Sequence, residues 1–144
     1  MKAALSPLVT WSVRIIGIAV FAIAFFLPAL GLSAHDANPL LGWKCASIAF
    51  SMPFSHESTF DIDLFLVMLS GWLNVFVGLY LLSSFFSKLR LVRWALIAFS
   101  LVSMISTWVF FGRQHYHPLI GHFLWIAGAL IIMLPEFFTI KQDA

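Results

Sequence analysis

Apolar positions in this chain fall into four unbroken runs rather than into the alternating pattern of a soluble fold. They are Ile15 to Leu32, Leu64 to Phe86, Trp94 to Phe111 and Leu119 to about Phe138. Each holds roughly 18 to 23 residues, and about 20 residues at 1.5 Å rise cross ~30 Å of hydrocarbon. Charges stand only towards the ends of the runs. In lipid a spanning segment must satisfy its backbone polar groups internally, so runs of this length predict helices. The two-residue alternation of a transmembrane β-barrel is absent. The expected fold is all-α: a four-transmembrane-helix antiparallel bundle forming one integral membrane domain over residues 1–144.

The segments between the runs refine this picture. Residues 33–63 form the longest connection, and within it Pro39 to Phe54 is nearly all apolar. That stretch is too short to span and too apolar for water. It predicts a short interfacial or re-entrant helix, with Trp43 at headgroup level and Pro39 and Pro53 bracketing it. In the polar stretch that follows, Ser58 or Asp61 is placed to cap the second long helix. The first run, with Lys2 and Arg14 before it and Ser33-Ala34 after it, has the layout of a signal peptide. Leu32 is too large for the −3 position of a cut there, and the run exceeds the usual apolar core of about 7–15 residues. An uncleaved first helix is expected.

Composition supports the membrane reading. Of 144 residues, 62% are hydrophobic and 10% charged, against about 25% charged in soluble domains. A soluble fold of this size could not hide so much apolar surface. The net charge of +2, without a basic stripe, excludes a nucleic-acid footprint. A single cysteine, Cys45, excludes an internal disulfide and paired-thiol chemistry. Positive residues set the orientation. With the N-terminus in the cytoplasm, Lys2, Arg14, Lys88, Arg90, Arg93 and Lys141 lie inside, and only Lys44 and Arg113 lie outside. Both termini are therefore expected in the cytoplasm, with residues 33–63 and 112–118 facing outward.

Polar residues inside the runs are few. Gly71, Asn74 and Gly78 share one face of the second helix, and Ser100, Ser103 and Thr107 one face of the third. Asn74 and Ser103 are expected to meet at similar depth. The contact reads as interhelical hydrogen bonding or, alternatively, as a polar pathway through an oligomer. Gly121, Trp125 and Gly128 mark a packing stripe on the fourth helix. No charge stands in mid-run, which argues against an ion-coupled pump. Glu136 reads as a helix-terminal charge near Lys141.

All five histidines fall on the expected outer side. His115 and His117 sit in the last loop, and His122 one turn into the fourth helix. His35, His56, Glu57, Asp61 and Asp63 could converge on the same face. Imidazoles with a carboxylate suit a transition metal, so His115, His117, His122, His56 and Glu57 are the candidate ligands. Histidines in solvent or at lipid headgroups, pH sensing, a haem and a quinone beside His122, Trp125 and Arg113 are the alternatives. No hydrolase, phosphate-loop or thiol-pair motif is present.

FFLPAL (residues 25–30) followed by GWKCA (residues 42–46) resembles small four-helix bacterial inner-membrane proteins of unknown function. The likeness covers the first third of the chain. It implies a prokaryotic cytoplasmic membrane and assigns no active residue. The expected function is that of a non-enzymatic accessory, assembly or immunity-type subunit acting through a membrane partner or self-association. A metal- or cofactor-binding protein and a small oligomeric channel or transporter are the alternatives.

Overall fold

The computed structural model describes residues 6–32, 38–51 and 61–139. In chain order the elements are α1 (Pro7–Ala24), β1 (Pro28–Gly31), β2 (Leu40–Leu41), α2 (Gly42–Ser51), α3 (Ile62–Ser83), a 3-10 turn (Ser87–Leu89), α4 (Arg90–Gln114), β3 (His117–Pro118) and α5 (Ile120–Thr139). The protein is mostly helical. Four of its helices, α1, α3, α4 and α5, are long and apolar enough to cross a membrane. The short helix expected in the first long connection is α2.

The first helix departs from the expected bounds. It occupies Pro7–Ala24, not residues 15–32. Pro7 stands at its start, where a missing N–H removes no helical bond, and Ser6 Oγ accepts the Val9 N–H at 3.3 Å. The chain leaves the helix through Phe25 and Leu27, whose N–H groups bond Ala22 and Ala24 carbonyls. Pro28, which cannot continue an α-helix ladder, opens β1. Arg14 therefore lies inside the first long helix rather than ahead of it. The other long helices differ from their runs by a few residues. Asp61 caps α3 as expected, its carboxylate accepting the Ile62 N–H. α4 ends at His115, whose left-handed φ of 56° turns the chain, and both His115 and Tyr116 donate backbone N–H groups to Phe111 O.

Three short strands join the connections at one end of the bundle in the order β2-β1-β3. Both pairings are antiparallel, with Leu30 opposite Leu40 on one side and Pro118 on the other. Leu119 N–H extends the join to Ala29 O at 3.0 Å. This is the sheet end; the end where α1 starts and α5 finishes is the terminal end.

α1 packs along α5, and α3 along α4. The first pair closes through glycine: a Cβ on Gly128 would stand 2.6 Å from Phe21 N, and one on Gly17 2.8 Å from Ile132 N. The two pairs share a core of Leu73, Val77 and Tyr80 from α3, Leu96, Ile97 and Met104 from α4, and Ala129, Ile132 and Met133 from α5. α1 rides on the outside, with only Arg14, Gly17 and Ala24 buried. Large apolar side chains such as Ile15, Leu79, Ile105 and Leu134 are exposed on all four long helices. So broad an apolar surface is what lipid would cover.

Candidate functional site

The terminal end is closed by an ion cluster to which each long helix gives one side chain. Arg93 Nε of α4 donates to Glu136 Oε1 of α5 at 2.9 Å. Arg93 Nη1 also holds the Phe86 carbonyl at 3.0 Å. Tyr80 OH of α3 donates to Glu136 Oε2 at 3.4 Å. Arg14 Nη2 of α1 donates to Tyr80 OH at 3.4 Å and stands 3.8 Å from Glu136 Oε2. All four are buried. The Arg14 guanidinium lies over the rings of Trp11 and Tyr80, with the carbon 5.3 and 5.7 Å from their centroids. Glu136 stands in the last turn of α5, where a helix-terminal charge was expected, and Lys141 lies outside the described residues. The Glu136 carboxylate is shared by two guanidiniums and a phenol. A buried charge of this kind is tolerated when paired and hydrogen-bonded, and that pairing is why Arg14 can sit within so apolar a helix.

At the sheet end a cavity of about 310 Å³ lies between the helix pairs. The α1, β1, α2 and α3 side brings small residues to it: Ala24, Ala29, Gly42, Ala46, Ala49 and Gly71. Close packing of α2 on α3 sets this wall, since a Cβ on Gly71 would lie 2.8 Å from Ala49 Cβ. The α4 and α5 side brings rings: Phe110, Phe111, Tyr116, His122 and Trp125. Asn74, Thr107 and Cys45 add an amide, a hydroxyl and a thiol. Burial pushes the Cys45 thiol up to about 11, so it stays protonated.

The three C-terminal histidines part company. His115 is the exposed cap of α4, and His117 is exposed on the edge strand β3. His122 is 4% exposed and sits among Trp108, Phe111 and Trp125, with ring centroids at 5.4, 4.8 and 5.8 Å. Its Nε2 is itself buried and has no partner among the described residues. Among the described residues no three His, Cys, Asp or Glu side chains converge as a metal ligand set. His35, His56 and Glu57 lie outside the described residues. Asp63 is engaged by Arg113 Nε and Gln114 Nε2, both at 2.6 Å, joining the start of α3 to the end of α4.

The polar face inside the bundle is organised differently from the expectation. Asn74 Nδ2 donates to Gly71 O at 3.3 Å, and its Oδ1 accepts from Trp125 Nε1 at 2.9 Å. Its cross-helix partner is therefore on α5, not Ser103 on α4. Thr107 and Ser106 donate back to the Ser103 carbonyl at 2.9 and 2.8 Å, and Ser103 Oγ is buried without a partner. Gly71 meets α2, whereas Gly78 faces open space. Gly121 and Gly128 both lie at close approaches, to β1 and α1. Sequence reasoning missed the ion cluster, although one signal was available: an arginine just ahead of the first and third runs, and a tyrosine and a glutamate late in the second and fourth, all fall towards the same end. Compared with known proteins, the chain matches no family model, no curated protein and no solved structure.

Proposed function

We propose that this chain is a multi-pass protein of the bacterial inner membrane, with both termini in the cytoplasm and the sheet end outward. In this reading it is a non-enzymatic accessory subunit that holds a small apolar molecule for a membrane partner or a second copy of itself. The observation that carries the reading is the cavity at the sheet end, lined by small residues, aliphatic side chains and aromatic rings. Preformed, mostly apolar concavities of about 300–1,000 Å³ with a few polar groups are how proteins bind small ligands. The polar groups present favour holding over transforming. Thr107 gives its hydroxyl proton to a backbone carbonyl, Cys45 remains a thiol, and Asn74 is bonded to Trp125.

The ion cluster at the opposite end supports a closed bundle rather than an axial conduction path, since it joins all four spanning helices. The orientation rests on basic residues. Arg14 and Arg93 belong to the cluster, Lys88 and Arg90 stand at the terminal end and Lys44 and Arg113 at the other, while the sequence adds Lys2 before the first long helix and Lys141 after the last. The test is extraction of protein purified in mild detergent, with mass spectrometry of the bound small molecules. A discrete molecule present near one per chain in the natural protein and lost in Ala46→Leu, which fills the cavity, is the expected result. An extract identical for both proteins refutes the reading.

A further inference from the structure

The depth of the cavity points to the class of its occupant, and this inference rests on the membrane and ligand-binding readings above. α3 has 22 residues, about 33 Å at 1.5 Å rise, close to the ~30 Å of hydrocarbon. Its start is level with the end of α4, because Asp63 holds both Arg113 and Gln114. Position along a helix therefore gives depth below the sheet end. Among the lining residues, Trp125 stands five residues on from Ile120 and Thr107 seven back from Gln114, while Gly71 and Asn74 stand nine and twelve on from Ile62. At 1.5 Å per residue they lie about 8, 11, 14 and 18 Å below the helix ends. Half of the hydrocarbon thickness is about 15 Å. The cavity thus lies at the depth of the outer acyl chains and not at that of the headgroups.

α2 walls the cavity within the same layer. Its first N–H groups, of Gly42 and Trp43, bond the carbonyls of Leu27 and Phe25 at 3.0 and 2.9 Å. Leu27 is level with the start of α5, since a Cβ on Gly121 would stand 2.8 Å from its carbonyl oxygen. Seven residues after Gly42, Ala49 meets Gly71, part-way down α3. α2 therefore descends from the sheet end instead of lying across it. In a bilayer that makes it a re-entrant helix rather than an interfacial one. It brings Cys45, Ala46 and Ala49 to the cavity, and Ile48 and Phe50 are exposed beside Ala49 at the same depth.

We propose that the cavity takes an acyl chain of an outer-leaflet phospholipid. The cavity is partly open, and at this depth hydrocarbon chain is the surrounding solvent. Its concentration there is so high that a small preference fills the site by mass action. Size agrees: a cavity of about 150 Å³ accommodates benzene, so one twice as large holds a segment of about a dozen carbons. An acyl chain needs no hydrogen bond from its walls, which suits Ala24, Ala29, Leu30, Val67 and Phe111. The headgroup stays at the surface and keeps its charge hydrated, so the cavity has no ion to compensate.

The experiment uses the full chain in vesicles of phosphatidylethanolamine and phosphatidylglycerol. A trace of the phosphatidylethanolamine carries an aliphatic diazirine at one acyl carbon. After irradiation the adducts are located by mass spectrometry of peptides. With the diazirine near the terminal methyl, adducts are expected on the cavity residues Cys45, Asn74 and Trp125 and on the outward residues Ile105 and Leu134. Ala46→Leu, which fills the cavity, should lose the first set and keep the second. Should Ala46→Leu fail to fold, the natural protein answers the same question: moving the diazirine next to the ester should abolish labelling of Asn74, the deepest of these positions. Outward adducts with none in the cavity, cavity adducts that survive in folded Ala46→Leu, or equal labelling of Asn74 by both diazirines overturn the acyl-chain proposal. In each of those cases a discrete molecule other than a phospholipid, extracted at about one per chain, still upholds the ligand-binding reading. No adduct at Ile105 or Leu134 overturns the membrane reading and the proposal with it.

Discussion

Neutralising Glu136 should destabilise the bundle more than removing the whole charged cluster. The carboxylate lies 2.9 Å from Arg93 Nε and 3.8 Å from Arg14 Nη2. At an effective dielectric of about 20, each attraction has a gross value of about 4–6 kcal/mol. Most of this is offset by the desolvation of the three ions. What survives is an asymmetry: deleting one partner of a buried ion cluster costs about 3–5 kcal/mol, whereas replacing all the members with apolar side chains of similar volume is near neutral. Glu136→Gln keeps the shape and leaves two guanidiniums buried with no counter-charge. Arg14→Met, Arg93→Met and Glu136→Met together leave none.

Thermal unfolding in detergent, followed by fluorescence of the six tryptophans, measures both. For a chain of this size 1 kcal/mol corresponds to about 3 °C. Glu136→Gln is therefore expected to lower the midpoint by about 9–15 °C, and the triple variant by less than the single one. A Glu136→Gln midpoint within about 2 °C of the natural protein would refute the argument. So would a triple variant less stable than Glu136→Gln, since the cluster would then contribute net attraction and not merely mutual neutralisation.

Gly128→Val should separate α1 from α5, because its Cβ would meet the Phe21 backbone at 2.6–2.7 Å; overpacking of this kind costs about 1–3 kcal/mol, and loss of a cysteine crosslink engineered between those helices would report it. Cys45 should alkylate slowly: at pH 8 a thiol near 11 is about a hundredfold less ionised than one near 9, so iodoacetamide labelling of folded protein should lag the detergent-denatured chain by about that factor, and equal rates would refute the burial. The sign for stability follows from the same shift. The raised value means the folded state keeps the thiol proton longer, so this contribution is complete below pH 9 and is lost as the pH climbs towards 11; Cys45→Ala should flatten stability over that window. In a Cys45→Ala background, His117→Cys should react with a membrane-impermeant maleimide added outside intact cells, and labelling only after lysis would reverse the orientation.

The long elements were legible because their apolar runs are as long as a bilayer crossing, and that length exceeds anything a soluble core would require of an apolar run. Their exact placement was less so. Arg14 was read as a boundary because a charge in hydrocarbon is unfavourable, yet its partner Glu136 comes from the far end of the chain and cancels that objection. The strands were not legible at all. They are two to four residues long and are joined through backbone groups, such as Leu119 N–H to Ala29 O, that leave no side-chain period. Spacing correctly put Asn74 on a packed face, but spacing fixes a face and not the rotation of one helix against its neighbours, so Trp125 was missed as the partner. The histidines show the same limit. Their clustering in sequence suggested one site, while the left-handed turn at His115 and the start of α5 at Ile120 leave two exposed and turn His122 inward.

The two ends of the bundle bear on each other. A cavity of about 310 Å³ leaves its apolar lining short of packing partners. A bundle held only by apolar contact would relieve such a defect by collapsing one helix pair onto the other. Here collapse is opposed from both sides. At the terminal end the cluster fixes the separation of all four helices through directional bonds, and at the sheet end β1 is tied on one side to β2 and α2 and on the other to β3 and the start of α5. Bracing at both ends lets the bundle keep a cavity lined by small residues and rings, which is the feature that a bound apolar molecule would use.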